Sequence, residues 1–425
     1  MNTNIRSNKR FNLCDVYLGL TILYNLQDIL YPSGMIGQLI QLIIILWGII
    51  YTMPLISKFT QLPIILKATT LLILMYCSYG FIEMLFPRRI YLGDELRPPY
   101  IYIQNALNSF LPIFVFYRFF QKGQLTPLKL KHYIYVFLVL FTVLFFHNLS
   151  VMKDHALLSK SNREEFTNNA SYSFVYLIPL LFFIRKTIAR YIILAIIACF
   201  IVMGMKRGAM LTGFIGIICF LYFQIHSAHN HKSKNVAVFL SLIFVTGAIC
   251  YVSYTMSSSE YFLQRLEQTK EGNSSNRDIL YNDLLHEINT DTSLIHFIFG
   301  RGANSSILIS GNYAHQDWLE LMTNNGLLGV GLGIFFYYSI FRTAYEHRRK
   351  LGQTYYYIFL SVGILAIIPT FFSMIIYQLP KALTIMIGFL TGYAQQKPRP
   401  INARISNHNI GKRPHSSIHR MSRTL

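Results

Sequence analysis

Three arginines and one histidine in this sequence carry side chains suited to chemistry on an anionic substrate. Arg207, Arg277 and Arg301 each present a guanidinium group, which binds phosphate oxygens through paired hydrogen bonds and keeps its charge. His315 presents an imidazole, which titrates near neutral pH and can accept or orient the proton of an attacking hydroxyl. These residue types are suited to binding an anionic group and to accepting a proton beside it.

Small residues flank two of the arginines. In the segment Gly204–Ala209, Arg207 is followed by glycine and alanine, which predicts room for a large anion, whereas Lys206 is explained by snorkelling from a helix end. In the segment Gly300-Arg301-Gly302, the glycines allow the backbone to turn tightly or to approach a ligand closely. A plain turn is the alternative interpretation of the second segment.

Two carboxylates follow the histidine at the start of a predicted helix. Asp317 and Glu320 are three residues apart and share a helix face, whereas His315 would point away from both. A preformed histidine–carboxylate pair is therefore not expected. Either carboxylate could replace His315 as the proton acceptor, and His315 could instead cap a helix or bind a carbonyl group.

The composition indicates the kind of protein that positions these residues. The chain has 425 residues, of which 53% are hydrophobic and 13% are charged, far below the quarter that is typical of soluble domains. We expect an all-α, polytopic integral membrane protein with about twelve transmembrane helices. The apolar windows lie near residues 11–30, 35–57, 62–86, 101–120, 133–152, 171–185, 190–205, 208–226, 235–255, 321–341, 354–376 and 380–395.

The charge distribution predicts an orientation for these helices. Lys and Arg number 38 against 18 Asp and Glu, and the excess falls almost entirely in the loops of one side and in the tail from residue 397 to 425. Because basic residues stay on the cytoplasmic side, we expect both termini to be cytoplasmic. This topology explains the positive charge without any nucleic-acid partner.

One long polar interval interrupts the apolar pattern. It divides the chain into helices 1–9 at residues 1–255, a loop subdomain on the opposite side at 256–315, helices 10–12 at 316–396, and the basic tail at 397–425. Within the loop, residues 260–270 and 276–289 each read as a helix, the second with Ile279, Leu280, Leu284 and Ile288 as its apolar stripe. A loop of this length is expected to be folded or functional.

The motifs together resemble the O-antigen polymerase and O-antigen ligase superfamily of bacterial membrane enzymes. The order of the motifs and the long loop before the last three spans carry the resemblance, with the sequence signal confined to about residues 200–333. The matching segments are Arg207-Gly208-Ala209-Met210-Leu211, Ser275-Asn276-Arg277-Asp278-Ile279, Gly300-Arg301-Gly302, and His315-Gln316-Asp317-Trp318-Leu319-Glu320 with Gly326 and Gly329. The chain departs from the family in having Gln316 where Asn is common and Lys206 where Ser is common.

The resemblance implies a glycosyltransferase that uses undecaprenyl-pyrophosphate-linked sugars on the extracytoplasmic face of the bacterial inner membrane, with no metal and no other cofactor. By position, His315, Arg277 and Arg207 would be the catalytic residues. The substrate-binding candidates are Arg301, Gly300, Gly302, Asp317, Glu320 and Lys206. The five cysteines contain no CxxC pair, so the sequence itself gives no sign of a zinc site.

Three functions remain open on this evidence. A polymerase would transfer a growing lipid-linked glycan onto a lipid-linked repeat unit, and a ligase would transfer the finished polymer to a lipid A core or to a protein. A transporter or flippase is the third, although its polar groups should gather near the midplane of the bilayer. The expected partners are the lipid-linked donor and acceptor and the bilayer, with a chain-length regulator and a flippase as candidate protein partners.

Overall fold

The computed structural model describes residues 12–26, 34–93, 95–158, 167–228, 230–258, 267, 277–376 and 378–396. This part of the chain is helical apart from a two-stranded ribbon, β1 (Tyr91–Leu92) with β2 (Glu95–Leu96). The helices, numbered α1 to α15, are Leu13–Asn25, Met35–Ile56, Ile64–Leu85, Tyr100–Gln121, Pro127–Leu158, Ser171–Val175, Thr187–Met203, Arg207–His226, His231–Ser258, Arg277–Thr290, Leu294–Phe299, Ser305–Ser310, Asp317–Glu346, Arg348–Ile367 and Lys381–Gln395. The predicted all-α class is confirmed for these residues.

Seven of the described helices are long and apolar enough to cross a bilayer, namely α2, α3, α5, α8, α9, α13 and α14. These helices are compatible with a multi-pass membrane protein. Every one of the twelve apolar windows contains helix, but the span count of twelve stays a prediction. The sixth window is broken, because α6 gives way to a 3₁₀ helix at Ile178–Phe183 where Pro179 lacks the N–H that an α-helical turn needs.

The last helix, α15, forms the centre of the bundle together with α4. A Cβ on Gly388 would lie 2.6 Å from the carbonyl oxygen of Ile113, and one on Gly392 would lie 2.5 Å from the ring of Phe120. At Gly388 glycine is required because the backbones of α15 and α4 approach closely, whereas at Gly392 the close neighbour is the Phe120 side chain. The peripheral helices α2 and α9 instead expose many large apolar side chains, including Leu39, Leu46, Phe239 and Leu242, as lipid-facing helices do.

The described part of the predicted loop subdomain consists of α10, α11 and α12. The helix predicted at 276–289 is observed at Arg277–Thr290, whereas the one predicted at 260–270 lies outside the described residues apart from Glu267. Leu284 is fully buried and packs with Ala314 and Leu319, which anchors α10 to the start of α13. Ile279 was expected in the apolar stripe but is 61% exposed.

Candidate functional site

A large cavity opens at one end of the helix bundle. Its volume is about 1470 Å³. Its walls come from the end of α1, the first half of α4, Phe137 and Phe141 of α5, the beginnings of α6, α8 and α10, and residues within 310–315, 372–375 and 378–382. Lys206, Arg207, Arg277 and His315 all line it, although they lie in three separate parts of the sequence. The structure thus brings together four of the nine predicted site residues.

Lys206 and Arg207 enter the cavity at the beginning of α8. The preceding turn places Met205 at a φ of 48°, and the N–H of Asn168 donates to the carbonyl oxygen of Gly204 at 2.8 Å. A Cβ on Gly208 would lie 1.9 Å from the hydroxyl of Tyr172. Gly208 is itself a lining residue of the cavity, and its lack of a side chain also leaves room for the Tyr172 hydroxyl. The approach of an anion to Arg207 at this position stays a prediction.

Arg277 is the first residue of α10 and connects the loop subdomain to the bundle. Its Nη1 donates to the carbonyl oxygen of Phe372 at 2.8 Å, and its side chain also hydrogen-bonds the Tyr281 hydroxyl. These two contacts orient the guanidinium group at the cavity wall. A guanidinium has five N–H donors, so capacity for an anion remains after both contacts.

His315 reaches the cavity from a strained backbone. Its φ is 53°, in the left-handed region that costs a residue other than glycine about 1–2 kcal/mol. Burial lowers the pKa of the imidazole, and the positive charges of Arg277 and Lys206 lower it further. His315 is therefore neutral at pH 7, the form that can accept a proton. Retained strain is typical of functional positions.

The two predicted carboxylates are buried behind the cavity and do not line it. Glu320 accepts hydrogen bonds from the Ser306 hydroxyl, from the Asn324 amide at 2.8 Å, and from the Ala314 N–H at 2.9 Å. Asp317 Oδ2 accepts the N–H groups of residues 375 and 376, each at 2.9 Å. Both carboxylates thus fix loops that carry cavity-lining residues, and their direct contact with a substrate stays a prediction.

The Gly300-Arg301-Gly302 segment also lies apart from the cavity-lining residues. A Cβ on Gly300 would lie 2.4 Å from the backbone of Asn324 and Asn325, and the N–H groups of Arg301 and Gly302 donate to the carbonyls of Thr323 and Asn324 at 3.0 Å. The close approach that Gly300 permits is therefore to α13, whereas a Cβ on Gly302 would lie 2.9 Å from the guanidinium group of Arg88. The predicted approach of these glycines to a ligand stays a prediction.

The Arg301 side chain is bound by carboxylates of the loop subdomain. It forms ion pairs with Glu287 and Asp291, and Asp291 also binds His296 at 2.6 Å. The backbone carbonyl of Arg301 accepts a hydrogen bond from Arg88 at 2.9 Å. These contacts give Arg301 a structural role, and its assignment as the third phosphate ligand has no supporting contact within the described residues.

Sequence reasoning missed one cation of the cavity, Lys381. It begins α15 and donates a hydrogen bond to Asn108 of α4. A signal was present, because a lysine placed at the non-cytoplasmic end of a predicted span breaks the charge rule in the same way as Lys206 and Arg207 do. The local sequence gave no indication that α15 lies next to the same cavity.

The described lining of the cavity is rich in basic side chains. Its described lining contains four cationic side chains and no Asp or Glu. Amide and hydroxyl groups supply many neutral hydrogen-bonding partners, including Asn169, Asn312 and Gln378. In the part of the chain that the structure describes, no cluster of His, Cys, Asp and Glu could hold a metal ion. The cavity is therefore suited to an anion that carries a polar, hydrogen-bonding group.

No family model matches the chain. A search of curated proteins likewise gives no significant match.

Proposed function

We propose that this protein is a membrane glycosyltransferase that polymerises undecaprenyl-pyrophosphate-linked oligosaccharide repeats into a surface polysaccharide, such as O-antigen, capsule or exopolysaccharide. The observation that supports the proposal most strongly is that Arg207, Arg277 and His315 line one cavity with Lys206. The proposed location is the bacterial inner membrane, with both termini cytoplasmic and the cavity on the extracytoplasmic side.

The chemistry assigns a separate task to each group. A hydroxyl of the acceptor sugar attacks the anomeric carbon of the donor sugar, and the bond from that carbon to the pyrophosphate oxygen breaks. The leaving pyrophosphate takes the bonding electron pair, and Arg207 and Arg277 neutralise its growing charge through paired hydrogen bonds. His315, neutral at pH 7, accepts the proton of the attacking hydroxyl.

The shape and chemistry of the cavity agree with this substrate class. A volume of about 1470 Å³ exceeds the usual range for small-molecule sites, so an oligosaccharide fits better than a single small metabolite. Asparagine, glutamine and serine side chains in its walls can bind sugar hydroxyls. A transporter is less well supported, because the cationic groups gather at one end of the bundle instead of along a central path.

Reconstitution of the purified protein tests the proposal directly. Liposomes would contain the undecaprenyl-pyrophosphate-linked repeat unit alone, and the products would be separated by size on a gel. A ladder of polymers from the wild type, and none from the variant His315→Ala, is the expected result. Transfer only to an added core oligosaccharide would assign a ligase, and lipid-linked material that crosses the bilayer without lengthening would assign a flippase.

A further inference from the structure

Lys381 brings a positive charge to the cavity from the helix pair α4 and α15, whereas Arg207 and Arg277 belong to α8 and α10. It is the first residue of α15, and its Nζ donates to the backbone oxygen of Asn108 and, at 2.9 Å, to the side-chain oxygen of the same residue. Asn108 belongs to α4, and both residues line the cavity. The N–H of Leu379 donates to the Ser109 hydroxyl at 3.2 Å, which holds the segment before α15 against α4.

The contacts of Lys381 leave part of its binding capacity unused. An ammonium group has three donors, and the two Asn108 oxygens account for two of them. Both oxygens are neutral, and within the described residues no carboxylate forms an ion pair with Lys381. Because a partly buried charge is costly without a counter-charge, an anion in the cavity would stabilise this side chain.

The position of Lys381 differs from that of the arginine group. Arg207 begins α8, and Arg277 begins α10 and is bound to Phe372. Lys381 instead begins α15 and is bound to Asn108 of α4. The cavity therefore has cationic groups on two separate sets of helices.

We infer that Lys381, positioned by Asn108, forms a second anion site in the cavity and binds the diphosphate of the acceptor lipid, while Arg207 and Arg277 bind the diphosphate of the donor. The inference rests on the proposed function, because a polymerase of lipid-linked units must hold two lipid diphosphates at once. A transferase whose acceptor lacks a lipid diphosphate needs only the first site.

The first experiment measures binding without any sugar. Purified protein in uncharged detergent is titrated calorimetrically with inorganic pyrophosphate, and two sites per chain are expected. Lys381→Met and Arg277→Met should each leave one site. A matched control is Lys350→Met, because Lys350 donates to the Ala394 carbonyl oxygen near the other end of α15 and does not line the cavity. A single site in the wild type, or two sites in Lys381→Met, overturns the inference.

The second experiment separates the acceptor from the donor. Liposomes of zwitterionic lipid contain the donor and one of two acceptors, which carry the same oligosaccharide on undecaprenyl pyrophosphate or on an uncharged alkyl chain. Loss of a charged hydrogen bond predicts that Lys381→Gln raises KM for the diphosphate acceptor by about 10-fold to 100-fold. KM for the donor and the rate with the uncharged acceptor should not change. Lys381→Arg keeps the positive charge, so its KM for the diphosphate acceptor should lie close to the wild-type value.

The outcomes distinguish this inference from the proposed function. If Lys381→Gln lowers the reaction rate equally with both acceptors, Lys381 supports only the packing of α15 against α4, and the inference fails. If the wild type makes no polymer with either acceptor, the proposed function fails. In that case, the pyrophosphate titration still decides whether Lys381 binds an anion.

Discussion

The carboxylate of Glu320 accepts the backbone N–H of Ala314 at 2.9 Å, and Ala314 directly precedes His315. The same carboxylate binds Ser306 and Asn324, so it joins α12, the segment before α13, and α13 itself. Glu320 thereby holds the strained turn that directs the imidazole into the cavity. Its role is to position His315 from behind the cavity wall.

Glu320→Gln should therefore impair both stability and polymer formation. A glutamine NH₂ would face hydrogen-bond donors at one of the two oxygen positions, which costs about 1–3 kcal/mol for a buried group. We expect a lower melting temperature in detergent and a fall in kcat with little change in KM. Glu346→Gln is the control, because the Glu346 side chain is 45% exposed and, among the described residues, forms its ion pair with Arg342 on the surface. If Glu320→Gln has the wild-type kcat, Glu320 does not position His315 for the reaction.

Arg277 and Arg301 should give opposite results when each is replaced by lysine. Arg277→Lys keeps the charge but loses the planar fork, so polymer formation should fall by about 100-fold or more while the melting temperature holds. Arg301→Lys loses the paired contacts to Glu287 and Asp291, so the melting temperature should fall while most of the activity is kept. Gel analysis of the polymer and thermal unfolding of both variants provide the measurement. Polymer of normal length from Arg277→Lys would contradict the pyrophosphate-binding role.

The acidic side of the pH–rate profile should depend on Lys206. Burial and the charges of Arg277 and Lys206 lower the pKa of His315, so the wild type should stay active below the usual histidine pKa of about 6.5. Lys206→Gln removes one of these charges and raises the pKa, which moves the acidic limb of kcat/KM to higher pH. Lys206→Arg keeps the charge and should leave the limb in place. If the acidic limb lies at the same pH in the wild type, Lys206→Gln and Lys206→Arg, His315 is not the titrating group.

His315→Gly should separate stability from activity. Glycine adopts a φ of 53° without strain, so the folded state should gain up to about 1 kcal/mol while polymer formation is lost. Asn304→Gly is the control, because Asn304 has a φ of 58° but does not line the cavity. It should retain activity. If His315→Gly polymerises at the wild-type rate, a group other than His315 accepts the proton.

Gly326→Ala should destabilise the fold strongly. Gly326 has a φ of 63°, and a Cβ there would lie 2.4 Å from the Gly300 nitrogen. Backbone strain and the clash together predict a loss of about 3 kcal/mol or more. Gly331→Ala in the same helix meets no atom within 4 Å and should leave the melting temperature unchanged or raised. Equal melting temperatures for Gly326→Ala and the wild type would contradict the observed packing.

The sequence by itself predicted the all-helical class, the positions of the apolar helices and the helix at Arg277–Thr290, which the described residues bear out. Its choice of charged groups that could bind a phosphate stays a prediction. These properties follow from local hydropathy and residue type, which do not depend on distant contacts.

Only the tertiary structure decided which charged groups line the same cavity. Arg207, Arg277 and His315 converge, whereas Arg301 is bound by Glu287 and Asp291, and Lys381 joins the cavity through the packing of α15 on α4. The Gly300 segment packs on the Gly326 kink. Spacing along the chain cannot predict these outcomes, because each depends on which helices are neighbours.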